Sequence, residues 1–392
     1  MALYGAQFLF LGVQLPFFSG WLDATGFGAP AIGGLMGFAL VLRLLLSPII
    51  AYRSESLRDP RLAIRMTAAL MFVCSSLLLL PIPNELVSVS SVLMLFCFGL
   101  LVPLTDSAVL RADRRGELAY GPVRGAGSAT FIIANLAGGA LIATHSDVMA
   151  VWAMAGAAGL TLLAGMALPR EAGPAARAPV KAAPNLKRAG QLFRSRSFLL
   201  MLFAAGLVQG GHATYYTFSE LHWSALGYSS LLIGLLWTVG VLCEIGLLLV
   251  IRRVLKKLSP AQLIAIGAIG AIIRWPLIGL SPPLPVLFLL QMMHALTFAA
   301  TYMGSVEFIG RAVPEAYRTT AMTVISTLGV GAMTGLASVV AGFIFVREAP
   351  FAAYALMGGM GCVALILALL LMRRWDGGPL HAVPDETPSS KH

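Results

Sequence analysis

The chain has 392 residues, of which 58% are apolar or aromatic and only 11% are charged, against roughly 25% charged in a typical soluble domain. A soluble fold of this size buries about three quarters of its unfolded surface, too little to hide such a composition. A mean hydropathy of +0.85 therefore makes an all-α integral membrane protein the expectation, and soluble enzymes, secreted scaffolds and disordered proteins are excluded. The net charge of +10 falls in short clusters between apolar runs, which suits a cytoplasmic membrane surface and not nucleic acid.

A bilayer core of about 30 Å takes roughly 20 apolar residues per helix. On that basis the chain divides into twelve expected spans: 3–22, 31–51, 62–80, 86–110, 125–143, 148–168, 197–219, 230–251, 261–280, 286–307, 319–344 and 351–372. The N-terminus lacks a basic region and runs directly into the first of them, so a cleavable signal is not expected. Gly121–Gly125 and Gly331–Gly335 are GxxxG spacings that permit close helix contact. Cys74, Cys97, Cys243 and Cys362 all fall within apolar runs and read as small buried side chains.

Lysine and arginine set the expected orientation. With the N-terminus inside, the cytoplasmic segments hold Arg53, Arg58, Arg61, Arg111, Arg114, Arg115 and Arg124, then a central run from Arg170 through Arg177, Lys181, Lys187, Arg188 and Arg194 to Arg196. Arg252, Arg253, Lys256, Lys257, Arg311, Arg318, Arg373, Arg374 and Lys391 follow, whereas the opposite loops hold only Arg347. Both termini are expected in the cytoplasm. Residues 1–168 and 197–375 form two six-helix units, 169–196 read as a cytoplasmic linker, and 376–392 as a disordered cytoplasmic tail.

The two halves align without gaps over their first four helices at an offset of 201: Phe17 with Phe218, Gly26 with Gly227, and Ile32-Gly33 with Ile233-Gly234. The same offset carries Arg43 onto Glu244 and Asp106 onto Glu307. Landmarks recurring in register point to duplication. Two parallel six-helix repeats with a site between them near the midplane are the architecture of the major facilitator superfamily, so the expected fold is twelve helices in two pseudo-symmetric six-helix bundles.

Arg43, Glu244 and Arg274 fall inside spans, where each charge costs about 2.5–3.5 kcal/mol on insertion scales and should face protein or a watery cavity. One reading is a structural ion pair. The functional one is a proton site at Glu244 and an anion site at Arg43 and Arg274. Polar residues at helical spacing support a lined cavity: Gln7 and Gln14; Asn135; Gln209, His212 and Tyr216 with Tyr215 beside them; Trp237; and Gln291, His294, Thr297 and Thr301. His294 is of the one residue type that titrates unaided near neutrality, though a lone histidine satisfied by a neighbour reads almost as well. Asp106, Arg124 and Glu307 lie at the cytoplasmic face and read as gating or loop-holding charges. No HExxH, GxSxG, P-loop or paired-cysteine pattern occurs, so neither an enzyme, a metal site nor ATP as energy source is expected.

VPLTDS (102–107), YGPVR (120–124), VQGGHATYYTFSELHWSALGYS (208–229), LLWTVGVLCEIG (235–246), IRW (273–275) and LLQMMHALTF (289–298) resemble the phenylpropionate permease family of the major facilitator superfamily. The resemblance implies proton-coupled uptake of a small, aromatic organic acid across a bacterial inner membrane. No cofactor beyond the proton gradient is implied, and the default state is a monomer. The chain also looks distantly like lactose-permease-type symporters. By helix, Glu244, Arg274 and His294 would take the roles of acid, arginine and histidine there, although a second acid near the histidine is absent. The rival readings are symport of a neutral nucleoside or sugar, and proton-driven drug or metabolite export.

Overall fold

The computed structural model describes residues 1–55, 59–169 and 186–380, and all of their regular structure is helical. The first half consists of α1 (Ala2–Ala24), α2 (Ala29–Glu55), α3 (Pro60–Leu77), α4 (Asn84–Arg114), α5 (Tyr120–Thr144) and α6 (Val148–Met166). A short α7 (Leu186–Leu192) leads to α8 (Arg196–Gly210), α9 (Ala213–Ala225), α10 (Ser230–Leu255), α11 (Pro260–Gly279), α12 (Leu284–Met292) and α13 (Thr301–Ala312). The chain closes with α14 (Glu315–Val324), α15 (Met333–Ile344) and α16 (Phe351–Arg374). Large apolar side chains such as Leu249, Phe343, Leu163 and Leu45 point outward, as a lipid-facing surface requires.

Among the described residues, eleven helical stretches are long and apolar enough to cross a bilayer. The third expected span corresponds to α3, which has 18 residues and carries Arg61 and Arg65 in its first two turns. Those arginines reach the C-terminal end of α6: Arg61 donates to the Leu168 carbonyl at 2.9 Å, and Arg65 to Gly165 and Met166 at 3.1 and 2.8 Å. Cations placed there satisfy carbonyls that a helix end leaves open. Leu62, Met66, Leu70, Val73 and Leu77 still give α3 an exposed apolar stripe.

Three expected spans are locally broken. The seventh turns at Gly211-His212 between α8 and α9. The tenth and eleventh contain π-helical stretches at Ala295–Ala300 and Ile325–Ala332, a deviation often found at functional sites. The expected linker is not featureless, since α7 packs on α14 with Tyr317 donating to Gln191 at 2.6 Å. The expected disordered tail also starts ordered: Leu380 is buried and its amide donates to the Ala312 carbonyl at 2.8 Å. Arg58, Arg170, Arg177, Lys181 and Lys391, with the rest of 170–185 and 381–392, lie outside the described residues.

The offset of 201 is visible in the backbone. Gly26 and Gly227 both adopt positive φ, +94° and +80°, which glycine allows without steric cost. Around them, hydrogen bonds from Phe27 to Leu22 and from Tyr228 to Trp223 repeat the same helix-ending turn. Helices α1–α6 pack among themselves and α8–α16 among themselves, and the sets meet along α2–α15, α5–α10 and α1–α9. At these meetings backbones touch. A Cβ on Gly33 would strike the Ser338 carbonyl, one on Gly37 that of Gly335, one on Gly139 that of Ser230, and one on Gly234 that of Asn135. The glycine contacts across the halves cluster toward the end bearing the α1–α2 and α9–α10 turns. Arg347 also ion-pairs with Asp23 across the halves there. That end of the molecule is shut.

Candidate functional site

Arg274 on α11 is fully buried at the heart of the second half. Its Nη1 donates to Thr297 Oγ1 at 2.9 Å and to His294 Nδ1 at 3.2 Å, and its Nη2 donates to Gln291 Oε1 at 3.0 Å. The guanidinium lies over the rings of Trp275 and Tyr215, 4.4 and 5.1 Å from their centroids. Cation–π contact of this kind strengthens when desolvated. The sequence places these groups by simple spacing: Gln291, His294 and Thr297 follow one another at three-residue steps on one helical face.

The arginine fixes the neighbouring tautomers. A guanidinium can only donate, so His294 Nδ1 accepts and the neutral ring carries its proton on Nε2. That nitrogen is 3.7 Å from Glu244 Oε2 on α10. His212 takes the opposite tautomer. Its Nδ1 faces the carbonyls of Val208 and Gln209 at 3.2 and 3.0 Å and must donate, while Nε2 meets Thr297 Oγ1 at 3.1 Å. Gln209 donates to the Phe298 carbonyl inside the π stretch at 3.1 Å. A continuous polar chain thus runs from His212 through Thr297, Arg274 and His294 to Glu244.

Aromatic rings wall this chain. Trp237 stacks on Tyr215 at 4.3 Å and lies 5.7 Å from Tyr216, which in turn stacks on His212. In and around this cluster Arg274 Nε, Gln291 Nε2, Trp237 Nε1, Trp275 Nε1 and Trp223 Nε1 are buried without an acceptor among the described residues, as are the hydroxyls of Thr238 and Tyr354. Buried polar atoms are normally satisfied, and the nitrogens among these can only donate. Their chemistry suits an acceptor-rich guest. Gly240 matters indirectly, because a Cβ there would press on His294 at 3.3 Å.

The remaining candidates are placed differently. Arg43 is half-buried on α2 with its chain laid over Gly99 of α4, and it has no hydrogen bond or ion pair among the described residues. Among the described residues it is His294, and neither arginine, that faces the Glu244 carboxylate. Gln14 is buried on α1, and Gln7 beside it donates to Thr105 at 2.7 Å. Asn135 donates to its own helix at Phe131, and its backbone abuts Gly234, so it holds the α5–α10 contact.

Asp106 accepts from Tyr4 at 2.5 Å and Tyr120 at 3.1 Å, within the first half. Arg124 stacks over Phe8 and Tyr4, with its field reaching Glu244. Glu307 pairs with Arg311 one turn on at 2.8 Å. Among the described residues no cluster of three or more histidine, cysteine or acidic side chains could hold a metal. Glu220, Trp275 and Gly240 are the structural participants that sequence reasoning passed over.

Two helical halves sealed at one end, with a buried polar chain beside their junction, define a multi-span membrane transporter of the major facilitator type, not an enzyme. The chain belongs to the MFS_1-like family, whose family model matches residues 2–356. It is 30% identical over 349 residues to the "Probable 3-phenylpropionic acid transporter" of Escherichia coli (strain K12), covering 87% of this chain and 89% of that one. It is 26% identical over 376 residues to the "Maltose permease" of Geobacillus stearothermophilus, covering 95% and 91%. Among solved structures it resembles the nucleoside transporter NupG, with a TM-score of 0.79 at 15% identity over 95% of this chain and 98% of that one. A D-xylose-proton symporter gives 0.71 at 15% identity over 97% and 96%.

Proposed function

We propose that the protein takes up a small organic acid, aromatic in the manner of 3-phenylpropionate, together with protons across a bacterial inner membrane. The observation that carries this reading is buried Arg274 with the unsatisfied N–H groups of its own Nε, Gln291, Trp237 and Trp275, walled by Trp275, Trp237 and Tyr215. N–H donors and a guanidinium suit a carboxylate, and stacked rings suit an aromatic body. The name of the 30%-identical relative points the same way.

In this reading Arg43 and Arg274 serve the carboxylate. Gln14, Gln209, His212, Tyr216, Trp237, Gln291 and Asn135 line or support the pocket. Glu244 carries the proton, and His294 links it to Arg274, so that loading one group is felt by the other. Asp106, Arg124 and Glu307 act at the gate. Residues 1–168 and 197–375 rock about the site as a monomer, with 169–196 as tether and the proton gradient as sole energy source. With both termini cytoplasmic by the lysine and arginine bias, the sealed end is the outer one and the state is inward-facing.

Uptake of labelled 3-phenylpropionate into proteoliposomes under an inward proton gradient tests the reading. Accumulation that an uncoupler collapses supports it; no uptake by folded protein overturns the substrate. One observation favours symport of a neutral solute instead. Both Nη groups of Arg274 are already engaged by the chain's own Thr297, His294 and Gln291. Uptake of a nucleoside or sugar in the same vesicles would decide for it.

A further inference from the structure

Glu220 sits on α9 at the sealed end, seven per cent exposed, and its Oε2 is buried without a hydrogen-bond partner. Its carboxyl does not point into its own half. It lies directly against Gly20 of α1, where a Cβ would overlap it. The contact therefore exists only while the two halves are closed at this end.

Among the described residues no cation forms an ion pair with this carboxylate. Asp23 on α1 and Asp147 at the start of α6 are the acidic groups whose fields reach it, and Arg347 after α15 is the cationic one. Arg347 is already ion-paired with Asp23. His222, two residues on, points elsewhere, with Nε2 on Ser281 Oγ at 2.9 Å and its ring near Tyr354 of α16. An isolated carboxylate buried without partner is strongly disfavoured, and two acids nearby add to the repulsion. A neutral carboxyl has no such cost.

We propose that Glu220 is a proton-binding site of the outer seam: it takes a proton from the outer solution as the halves close on Gly20 and returns it to the same side as they part. Glu220 is thus a proton-operated latch, separate from the transported proton at Glu244. The closed state binds one more proton than the open one, so raising the outer pH favours opening. Linkage through one proton changes the closed-to-open ratio by at most about tenfold per pH unit. This inference rests on the alternating-access reading above, though not on the identity of the substrate.

The test is a distance measurement by pulsed electron paramagnetic resonance on the full chain in lipid nanodiscs. Spin labels go at Ser146, between α5 and α6, and Glu348, before α16, both exposed at the sealed end. Cys243 and Cys362 are replaced by alanine, since neither is buried. Between pH 5 and 9, without substrate, the short-distance population should fall and the long-distance one rise. Glu220→Gln should stay short throughout, and Glu220→Ala should likewise lose the pH response should the amide misfold. Glu244→Gln should keep it.

A wild type insensitive to pH, a response surviving in both Glu220 variants, or its loss in Glu244→Gln alone would each overturn the latch. Because no solute is present, failure of 3-phenylpropionate uptake leaves this result standing, and the converse holds as well.

Discussion

The imidazole Nε2 of His294 lies 3.7 Å from Oε2 of Glu244, joining α10 to the helix end that carries the Arg274 cluster. If that acid carries the transported proton, Glu244→Gln abolishes uphill accumulation and leaves counterflow exchange of labelled for unlabelled solute near wild type. Loss of both activities in folded protein would make the residue structural.

The two arginines, one buried and one half-buried, should separate cleanly. Arg274→Gln removes three charge-assisted hydrogen bonds to Thr297, His294 and Gln291, each worth about 1.5–3 kcal/mol, so its melting temperature in detergent should drop by several degrees. Arg43 has no such partners among the described residues, and Arg43→Gln should melt within about 0.5 kcal/mol of wild type. Both should lose ligand-induced thermal stabilisation. A thermally silent Arg274→Gln would contradict the cluster.

Gly234→Ala drives a methyl into the Asn135 carbonyl across α5 and α10. Overpacking of this kind costs about 1–3 kcal/mol, and the cost falls on the sealed state alone. Labels at positions 146 and 348 should report a larger open population at every pH, and an unchanged distribution would mean that the seam yields elsewhere.

Asp59 caps α3, accepting from the Arg61 amide at 3.0 Å and from its guanidinium at 2.8 and 2.6 Å. Those hydrogen bonds hold its carboxyl down at about 2, against an ordinary 3.8. Its stabilising effect is complete above the unfolded value and is lost as pH falls from about 4 towards about 2. Asp59→Asn should therefore flatten the acid limb of the melting curve across that window. An acid limb identical to wild type would remove Asp59 from the account.

Membrane orientation has its own check. A cysteine replacing Glu85, exposed at the start of α4, should react with an impermeant maleimide from outside intact cells. One replacing Gly190, where added bulk meets nothing within 4 Å, should react only after the cells are opened. Reversal of the two would place the sealed end in the cytoplasm.

Most of the architecture was legible because apolar length and internal repetition survive in any bilayer protein. The pairing of Gly26 with Gly227 came through as matching positive φ turns. The purpose of Arg61 and Arg65, holding the carbonyls at the end of α6, depends on a neighbour that hydropathy does not see. Glu220 escapes notice for a related reason: the seventh expected span ends at residue 219, one position short of it. Its packing against Gly20 of the other half is a tertiary contact that sequence spacing does not show. Arg43 and Glu244 share a depth through the repeat, but equivalence by repetition relates positions in separate halves and says nothing of contact.

The sealed end also bears on how quickly such a molecule can turn over. Interlocking side chains must disengage rotamer by rotamer, whereas Gly33, Gly37, Gly139 and Gly234 present bare peptide to peptide. The carbonyls they meet belong to helices and keep their internal bonds when the surfaces separate, so wetting them strands no polar group. In the alternating-access reading, a smooth joint of this kind lets two rigid bodies part without local melting.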